Sequence, residues 1–422
     1  MKTKEIAFTL PLMLPLIEVI FFGFPSRKQW VRLIPFLLTL AIIPLSRSDV
    51  IESAEAGFGK GTTTISRPDY LFTQFRVVVT YLRLLLFPYH QNLDYDYPIY
   101  HSLLEPPVFF SFLFLLSLFT FSLYLLFIRL RPPHPSRLTP HSSRLMAFGI
   151  LWFFLTLSIE SSIIPIRDVI FEHRLYLPSV GLLLAESVLI SALLERWKWM
   201  SAVVLSSLVV ILSVATYERN LIWKDELTLW SDVVQKSPNK ARGHNGLGVV
   251  YQNLERFDKA IQEYKTALTL NPDSASIHIN LGNVYQSLGR TDDAIQEYKT
   301  ALTLRPNFAD AHSNLGNIYG VLGRLDEAIG EYKTALALNP DNAPAHINLG
   351  TVYKDLGRLE AAIREYQTAL KLKPDFLQAH YGLGQAYERV GRTQEATREF
   401  EQALQIKSDY GPALQALKSL RQ

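Results

Sequence analysis

Residues 275–306 read ASIHINLGNVYQSLGRTDDAIQEYKTALTLRP, and the same arrangement of residue types returns every 34 residues from 241 to 410. Leu-Gly recurs at Leu247-Gly248, Leu281-Gly282, Leu315-Gly316, Leu349-Gly350 and Leu383-Gly384, and a tyrosine follows each pair at Tyr251, Tyr285, Tyr319, Tyr353 and Tyr387. Then come Ala260, Ala294, Ala328, Ala362 and Ala396, the aromatics Tyr264, Tyr298, Tyr332, Tyr366 and Phe400, and Ala267, Ala301, Ala335, Ala369 and Ala403. Apolar residues spaced at three and four make each period a pair of amphipathic helices. Glycine in the first helix and alanine in the second are small where the two approach, and the aromatics fill the wider gaps. Gly289, Gly323, Gly357 and Gly391, each followed by arginine, supply the left-handed residue that ends a first helix, and Pro272, Pro306, Pro340 and Pro374 punctuate the exit from a second.

In period and at nearly every signature position this resembles the tetratricopeptide repeat (TPR), which implies an all-α, right-handed α-solenoid. Five full repeats span 241–410, with Glu255 in place of the first glycine and Ser408 in place of the last proline. Residues 411–422 read as a capping helix. The connector 218–240 has Trp230 and Pro238 in repeat register, so 226–236 reads as a half-repeat.

Two columns of polar residues run through the repeats. His244, His278, His312, His346 and His380 hold the fourth position. Equivalent side chains on helices ~8–10 Å apart point in parallel and cannot converge on zinc, so we expect packing between repeats and no metal. Asn280, Asn314 and Asn348 hold the sixth position, with Asn283 and Asn317 one turn later. A ladder of neutral amides on an inner face can pair with a peptide backbone whatever its side chains. It resembles the asparagine ladder of the nucleocytoplasmic O-GlcNAc transferases, which implies that it holds an extended protein or peptide partner. The alternative is a polar surface with no ligand.

Before residue 218 the composition belongs to a different solvent. The chain is 48% hydrophobic and 12% aromatic, and its apolar residues gather in long runs up to Tyr217. Runs of roughly 20 apolar residues predict membrane helices. Six are expected, at 6–24, 31–45, 107–128, 146–166, 177–194 and 199–217, forming a polytopic transmembrane bundle over 1–217. Glu18, Glu160 and Glu186 fall within these runs, facing a polar interior or resting at an interface. Residues 71–88 differ, because Thr73, Arg76, Thr80 and Arg83 place one polar stripe along an apolar helix. Such a helix lies in the interface or lines a cavity, and its arginines either snorkel to headgroups or meet a lipid-linked phosphate. Arg129, Arg131, Arg137 and Arg144 mark a cytoplasmic loop, and counting spans from it puts the repeats outside the cytoplasm. A net charge of +3 without a basic stripe argues against nucleic acid. The absence of cysteine excludes disulfides and thiolate chemistry.

Three stretches carry a second resemblance: MKTKEIAFTLPLMLPLIEVIFF at 1–22, TYLRLLLFPYHQNLDYDY at 80–97 and EHRLYLPSVG at 172–181. With external repeats after a polytopic domain, the chain resembles the transmembrane-and-TPR O-mannosyltransferases. The resemblance implies transfer of sugar from a polyprenyl-phosphate-linked donor, with no other cofactor, to serine or threonine. Such chemistry needs a carboxylate base and a cation for the departing phosphate. Asp94, Asp96 and Glu172 are the candidate bases, and Arg76, Arg83 and Arg174 the candidate phosphate ligands. A solvated turn is the alternative for Asp94 and Asp96. The family's acidic residues lie in its first external loop, and this sequence begins at what resembles a later stretch. The first expectation is therefore a membrane-anchored TPR interaction protein. The second is a glycosyltransferase completed by further sequence or by a partner.

Overall fold

The computed structural model describes Ile17 and residues 65–87, 91–92, 94–95, 97–127, 139–160, 176–194 and 197–420. Among them are seventeen α-helices, and the chain divides into two compact units, Met1–Gly243 and His244–Gln422. The expected spans at 6–24 and 31–45, Glu18, and the arginines at 129, 131 and 137 lie outside the described residues.

The first unit contains α1 (Arg67–Leu86), α2 (Pro106–Phe127), α3 (Pro140–Glu160), α4 (Tyr176–Leu193), α5 (Lys198–Ile222) and α6 (Glu226–Lys236). Among the described residues, two stretches are long and apolar enough to cross a membrane, Pro106–Leu126 and Trp199–Ile222, and two shorter apolar ones are His141–Leu157 and Leu177–Leu193. Helices α3 and α4 meet at glycine. A Cβ at Gly149 would lie 2.2 Å from the Gly181 carbonyl oxygen, and the indole of Trp152 donates to the Leu177 carbonyl at 3.0 Å. Small residues at a crossing let two helix backbones approach this closely.

Helix α1 starts at Ser66, whose hydroxyl accepts from the Asp69 N–H at 3.2 Å. Its apolar side chains Tyr70, Val77, Tyr81, Leu82 and Leu84 are buried with Leu115, Phe153, Leu157 and Leu182 of α2, α3 and α4. Part of its polar stripe is covered by chain, not by lipid. The Tyr100 N–H donates to Thr73 Oγ1 at 3.0 Å, and the Thr80 and Tyr97 hydroxyls lie 2.9 Å apart.

The second helical unit is built from pairs. The first helices are α7 (Ala241–Asn253), α9 (Ala275–Ser287), α11 (Ala309–Val321), α13 (Ala343–Asp355) and α15 (Leu377–Arg389). The second helices are α8 (Phe257–Leu270), α10 (Thr291–Leu304), α12 (Leu325–Leu338), α14 (Leu359–Leu372) and α16 (Thr393–Ile406), and α17 (Gly411–Leu420) follows. Each first helix ends in a left-handed residue, with φ of 70° to 78° at Gly289, Gly323, Gly357 and Gly391. In the first repeat Glu255 takes the same conformation at φ 55°, where a Cβ costs roughly 1–2 kcal/mol. The arginine that follows has its own task. Arg290, Arg324 and Arg392 lie over the rings of Tyr285, Tyr319 and Tyr387 at 4.3–4.5 Å and pair with Asp293, Glu327 and Glu395.

The repeat aromatics do not occupy wide gaps. Tyr298 packs directly on Gly282, where a Cβ would be 2.6 Å from the ring, and Tyr264 and Phe400 do the same at Gly248 and Gly384. The histidines sit between repeats as expected, but they hydrogen-bond there instead of merely packing. Nδ1 of each of the five sits 2.6–2.7 Å from a glutamate of its own repeat, Glu263, Glu297, Glu331, Glu365 or Glu399. Nε2 of the last four faces the carbonyl of Pro272, Pro306, Pro340 or Pro374 at 2.9–3.2 Å. The ring therefore ties a second helix to the end of the preceding repeat.

An imidazole between a carboxylate and a carbonyl has two acceptors and satisfies both only as a cation. The Glu297 bond holds His278 above the usual histidine range against the opposing effect of burial. At His380 burial pulls down, and the Glu399 carboxylate with the Pro374 carbonyl outweighs it. A folded-state pKa above the unfolded one contributes stability that is whole below the unfolded value of 6.5 and is lost as pH rises through the folded value. A fragment of residues 241–422 should thus melt at a higher temperature at pH 6 than at pH 8, as followed by circular dichroism. His278→Gln with His380→Gln should flatten that slope, and an unchanged slope would refute the assignment.

Candidate functional site

The predicted amides meet one another before they meet a ligand. The Asn314 side chain donates from Nδ2 to Asn283 Oδ1 at 2.9 Å, and Asn348 donates to Asn317 Oδ1 at 2.8 Å. The sixth position of one first helix thereby bonds the ninth position of the preceding one. Asn280 finds Val249 at that place in the first repeat, and donates instead to Asn245 Oδ1 at 3.0 Å.

A second donor reaches the same oxygens from behind. The Tyr298 hydroxyl, with one proton to donate, lies 2.6 Å from Asn283 Oδ1 and 2.9 Å from Gln286 Oε1, and the Tyr332 hydroxyl donates to Asn317 Oδ1 at 2.6 Å. Burial raises both phenols, so they remain donors at any physiological pH. Tyrosine spacing alone did not reveal this role; the signal was the shared register of Tyr298 and Tyr332, fifteen residues after the asparagines they reach. In the fourth repeat Thr351 replaces the ninth-position asparagine, and its hydroxyl lies 2.9 Å from that of Tyr366. In the fifth, Gln385 holds that position, and the ladder's last rung is the Lys354 ammonium donating to Gln385 Oε1 at 2.7 Å.

Only part of each amide is spent. Asn280, Asn283, Asn314, Asn317 and Asn348 are all half-buried. Among the described residues, no hydrogen bond engages Nδ2 of Asn283 or Asn317, or Oδ1 of Asn280, Asn314 or Asn348, and none of these atoms is sealed from solvent. Each junction between repeats two, three and four so offers one donor and one acceptor, the complement of a peptide unit.

Of the other candidates, Asp96, Glu172 and Arg174 lie outside the described residues. Asp94 is 6% exposed, beside buried Asn92 and with the Arg242 guanidinium at 3.9 Å, so it is not in a solvated turn. Asn92 donates to the Asp94 carbonyl at 3.0 Å and to Ser237 Oγ at 2.7 Å. Arg76 and Arg83 are half-buried on α1. Burial pushes the Tyr97 hydroxyl up to about 12, while its bond with Thr80 and the two arginine charges act the other way.

Family models bear on the second unit. The TPR repeat model matches 253–289, 287–323, 321–357 and 350–391, and a tetratricopeptide repeat model matches 377–410. Residues 253–410 are a TPR array. The chain is also 27% identical over 133 residues to Protein O-mannosyl-transferase Tmtc3 of Drosophila melanogaster, covering 30% of this chain and 14% of that protein. It is 29% identical over 105 residues to human TMTC3, covering 24% and 12%, and 33% identical over 103 residues to Drosophila Tmtc2, covering 24% and 11%. The match thus spans less than a sixth of those relatives' length. Among solved structures, MamA is 32% identical over 38% of this chain and 95% of that chain, with a TM-score of 0.36. YrrB, a TPR protein with an unusual peptide-binding site, is 21% identical over 45% and 97%, with a TM-score of 0.39.

The TPR ladder's internal bonds can be told apart by mutation. Asn317→Ala removes the acceptor of the Tyr332 O–H and leaves only Asn348, which reaches that oxygen as a donor, whereas after Asn283→Ala the Tyr298 hydroxyl keeps Gln286 as acceptor. A stranded buried donor costs about 1–3 kcal/mol. Asn317→Ala should therefore be the more destabilising in urea titrations of residues 241–422, and equal losses would show that water replaces both bonds.

Proposed function

We propose that this chain is a membrane-anchored TPR protein that presents a concave, peptide-binding surface outside the cytoplasm. The observation that carries the reading is the pairing, at successive repeat junctions, of one unspent amide donor with one unspent acceptor. The ligand is an extended protein segment held by its backbone, and Asn280, Asn283, Asn314, Asn317 and Asn348 are the residues that hold it. Membrane anchoring is supported by α2 and α5. Exposed Phe110, Phe114 and Tyr124 line α2, and Val209, Val210 and Ile211 line α5. Trp197 and Trp199 stand at one end of α5, and Tyr217 and Trp223 at the other, all exposed, in the arrangement of an interfacial aromatic belt. The expected set of six spans, with the arginines between 129 and 144 inside, places the array outside.

A second reading is favoured by the similarity to the O-mannosyl-transferases. It makes the first unit a polyprenyl-phosphate-sugar-dependent glycosyltransferase, completed by other sequence or a partner, with Arg76, Arg83 and Arg174 on the lipid phosphate and Asp94, Asp96 or Glu172 as base. It differs from the first in requiring sugar transfer once the completing sequence or partner is present, and none by the purified chain alone.

Two measurements test the first reading. Protease added to sealed spheroplasts should cleave the array without lysis, and protection until lysis would reverse the topology. Replacing Asn280, Asn314 and Asn348 together by alanine should weaken binding of an extended, uncharged peptide by about tenfold or more, since each net hydrogen bond contributes ~0.5–1.5 kcal/mol. Undiminished affinity in a variant with native circular dichroism would remove the ladder from the site.

A further inference from the structure

Where α5 ends, the first unit holds a cavity of about 780 Å³ in the crook between α5 and α6. Its two walls differ in polarity. The α5 wall carries Ala215 and Ile222, and the α6 wall carries Ser231, Asp232, Gln235 and Lys236. Ala215 and Ile222 share one stripe of α5 with exposed Ile211, at helical spacings of four and seven, so the apolar wall runs on into the body of the helix. Exposed Tyr217 and Trp223 stand at this end of α5, where aromatic side chains mark the level of lipid headgroups.

Three charges meet at the polar wall. Asp232 accepts from Arg219 Nη1 at 3.2 Å and pairs with Lys236 Nζ at 2.7 Å, and Lys236 also donates to the Gln91 carbonyl at 2.7 Å. All three side chains are largely buried, at 12%, 14% and 25% exposure for Arg219, Asp232 and Lys236. These bonds hold α6 to α5 and to residue 91, which explains the cluster but not the groups around it. Among the described residues no hydrogen bond or ion pair engages the side chains of Ser231, Gln235 or Glu218, and all three are exposed and line the cavity. The buried cluster keeps one net positive charge beside the neutral donors of Ser231 and Gln235, a setting for a phosphate diester. Glu218 adds one negative charge from the α5 side, a setting for an ammonium. With two cations and two carboxylates the cavity is neutral overall, so it favours a ligand that carries both charges over a ligand that carries one.

We propose that the α5–α6 cavity binds the headgroup of a zwitterionic aminophospholipid of the phosphatidylethanolamine type. The phosphate diester lies at Ser231 and the Arg219–Asp232–Lys236 cluster, the ammonium at Glu218, and an acyl chain along the stripe of Ala215 and Ile211. This rests on the part of the proposed function that makes α5 a membrane span. A lipid held in this way ties α6, the helix that leads into the repeats, to the membrane surface.

Full-length protein in detergent can be titrated with dioleoyl phosphatidylethanolamine, phosphatidylcholine and phosphatidylglycerol, with bound lipid counted by native mass spectrometry. The three share their acyl chains and a phosphate diester, so their ranking isolates the amine. Phosphatidylethanolamine should bind about fivefold more tightly than either of the others, the range of one exposed charge pair. Glu218→Gln should remove its lead over phosphatidylcholine, whose trimethylammonium has no N–H to donate. Ser231→Trp, which fills the cavity from an exposed position, should abolish the retained lipid, and native circular dichroism in both variants separates these losses from misfolding. Equal binding of the three lipids, tighter binding of either other lipid, or a phosphatidylethanolamine preference that survives both substitutions overturns the site. Carbonate washing of membranes tests the span separately. If carbonate releases the chain while the preference and its loss in Glu218→Gln persist, the anchored reading fails and the site stands.

Discussion

The contact on which the array depends is a tyrosine ring lying on a glycine. At Gly282 no side chain would fit, because the Tyr298 ring is where a Cβ would go, and a Cβ at Gly316 or Gly350 would stand only 3.0–3.1 Å from the Tyr332 or Tyr366 ring. Any larger residue forces the ring outward or the helices apart, and overpacked cores typically lose ~1–3 kcal/mol. The same contact serves the surface. A ring pressed to the backbone of a first helix can reach through to its far side, which is how a buried phenol comes to bond Asn283 or Asn317. Core packing and the candidate binding face are thus one construction, repeated.

That coupling explains what could be read from sequence. The helix pairs, the left-handed glycines and the columns of asparagine and histidine all follow from period and residue type, because each depends on local geometry that returns unchanged. What was not legible is which polar groups use one another up. The histidines looked like packing and proved to be hydrogen-bonded bridges, since the glutamates that meet them lie nineteen residues away on the other helix of the pair. The asparagines looked wholly available, and the structure commits one side of each amide to its neighbour. Gln385 was overlooked although it shares their register, because a longer amide in a diverged repeat does not resemble a ladder residue until Lys354 is seen bonded to it.

The first unit reads less directly from its sequence, for a physical reason. Hydropathy marks apolar length but not the neighbours a helix chooses. Thr73 and Thr80 were assigned to an interface or a cavity, and backbone and tyrosine from residues 97–100 cover them. Asp94 was a candidate for a solvated turn and lies buried beside Arg242. The glycines at the α3–α4 crossing carry no periodic signal at all, since one close approach needs only one small residue on each side.

Self-bonding within the ladder also determines what kind of binder the array can be. An amide with both ends free can rotate, and ordering it on a ligand costs side-chain entropy of about 0.5–1.5 kcal/mol per group. Here Asn314 is held by Asn283, Asn283 by Tyr298, and Tyr298 by its glycine, so that cost is met when the protein folds. What remains exposed is a fixed row of donors and acceptors with no charge until Lys354. Neutral groups in a half-buried row lose little on desolvation, and they repel neither acidic nor basic side chains. Discrimination must therefore come from outside the row, at the ends where repeats diverge. On the proposed reading, the diverged terminal repeats are where this surface would acquire its sequence preference.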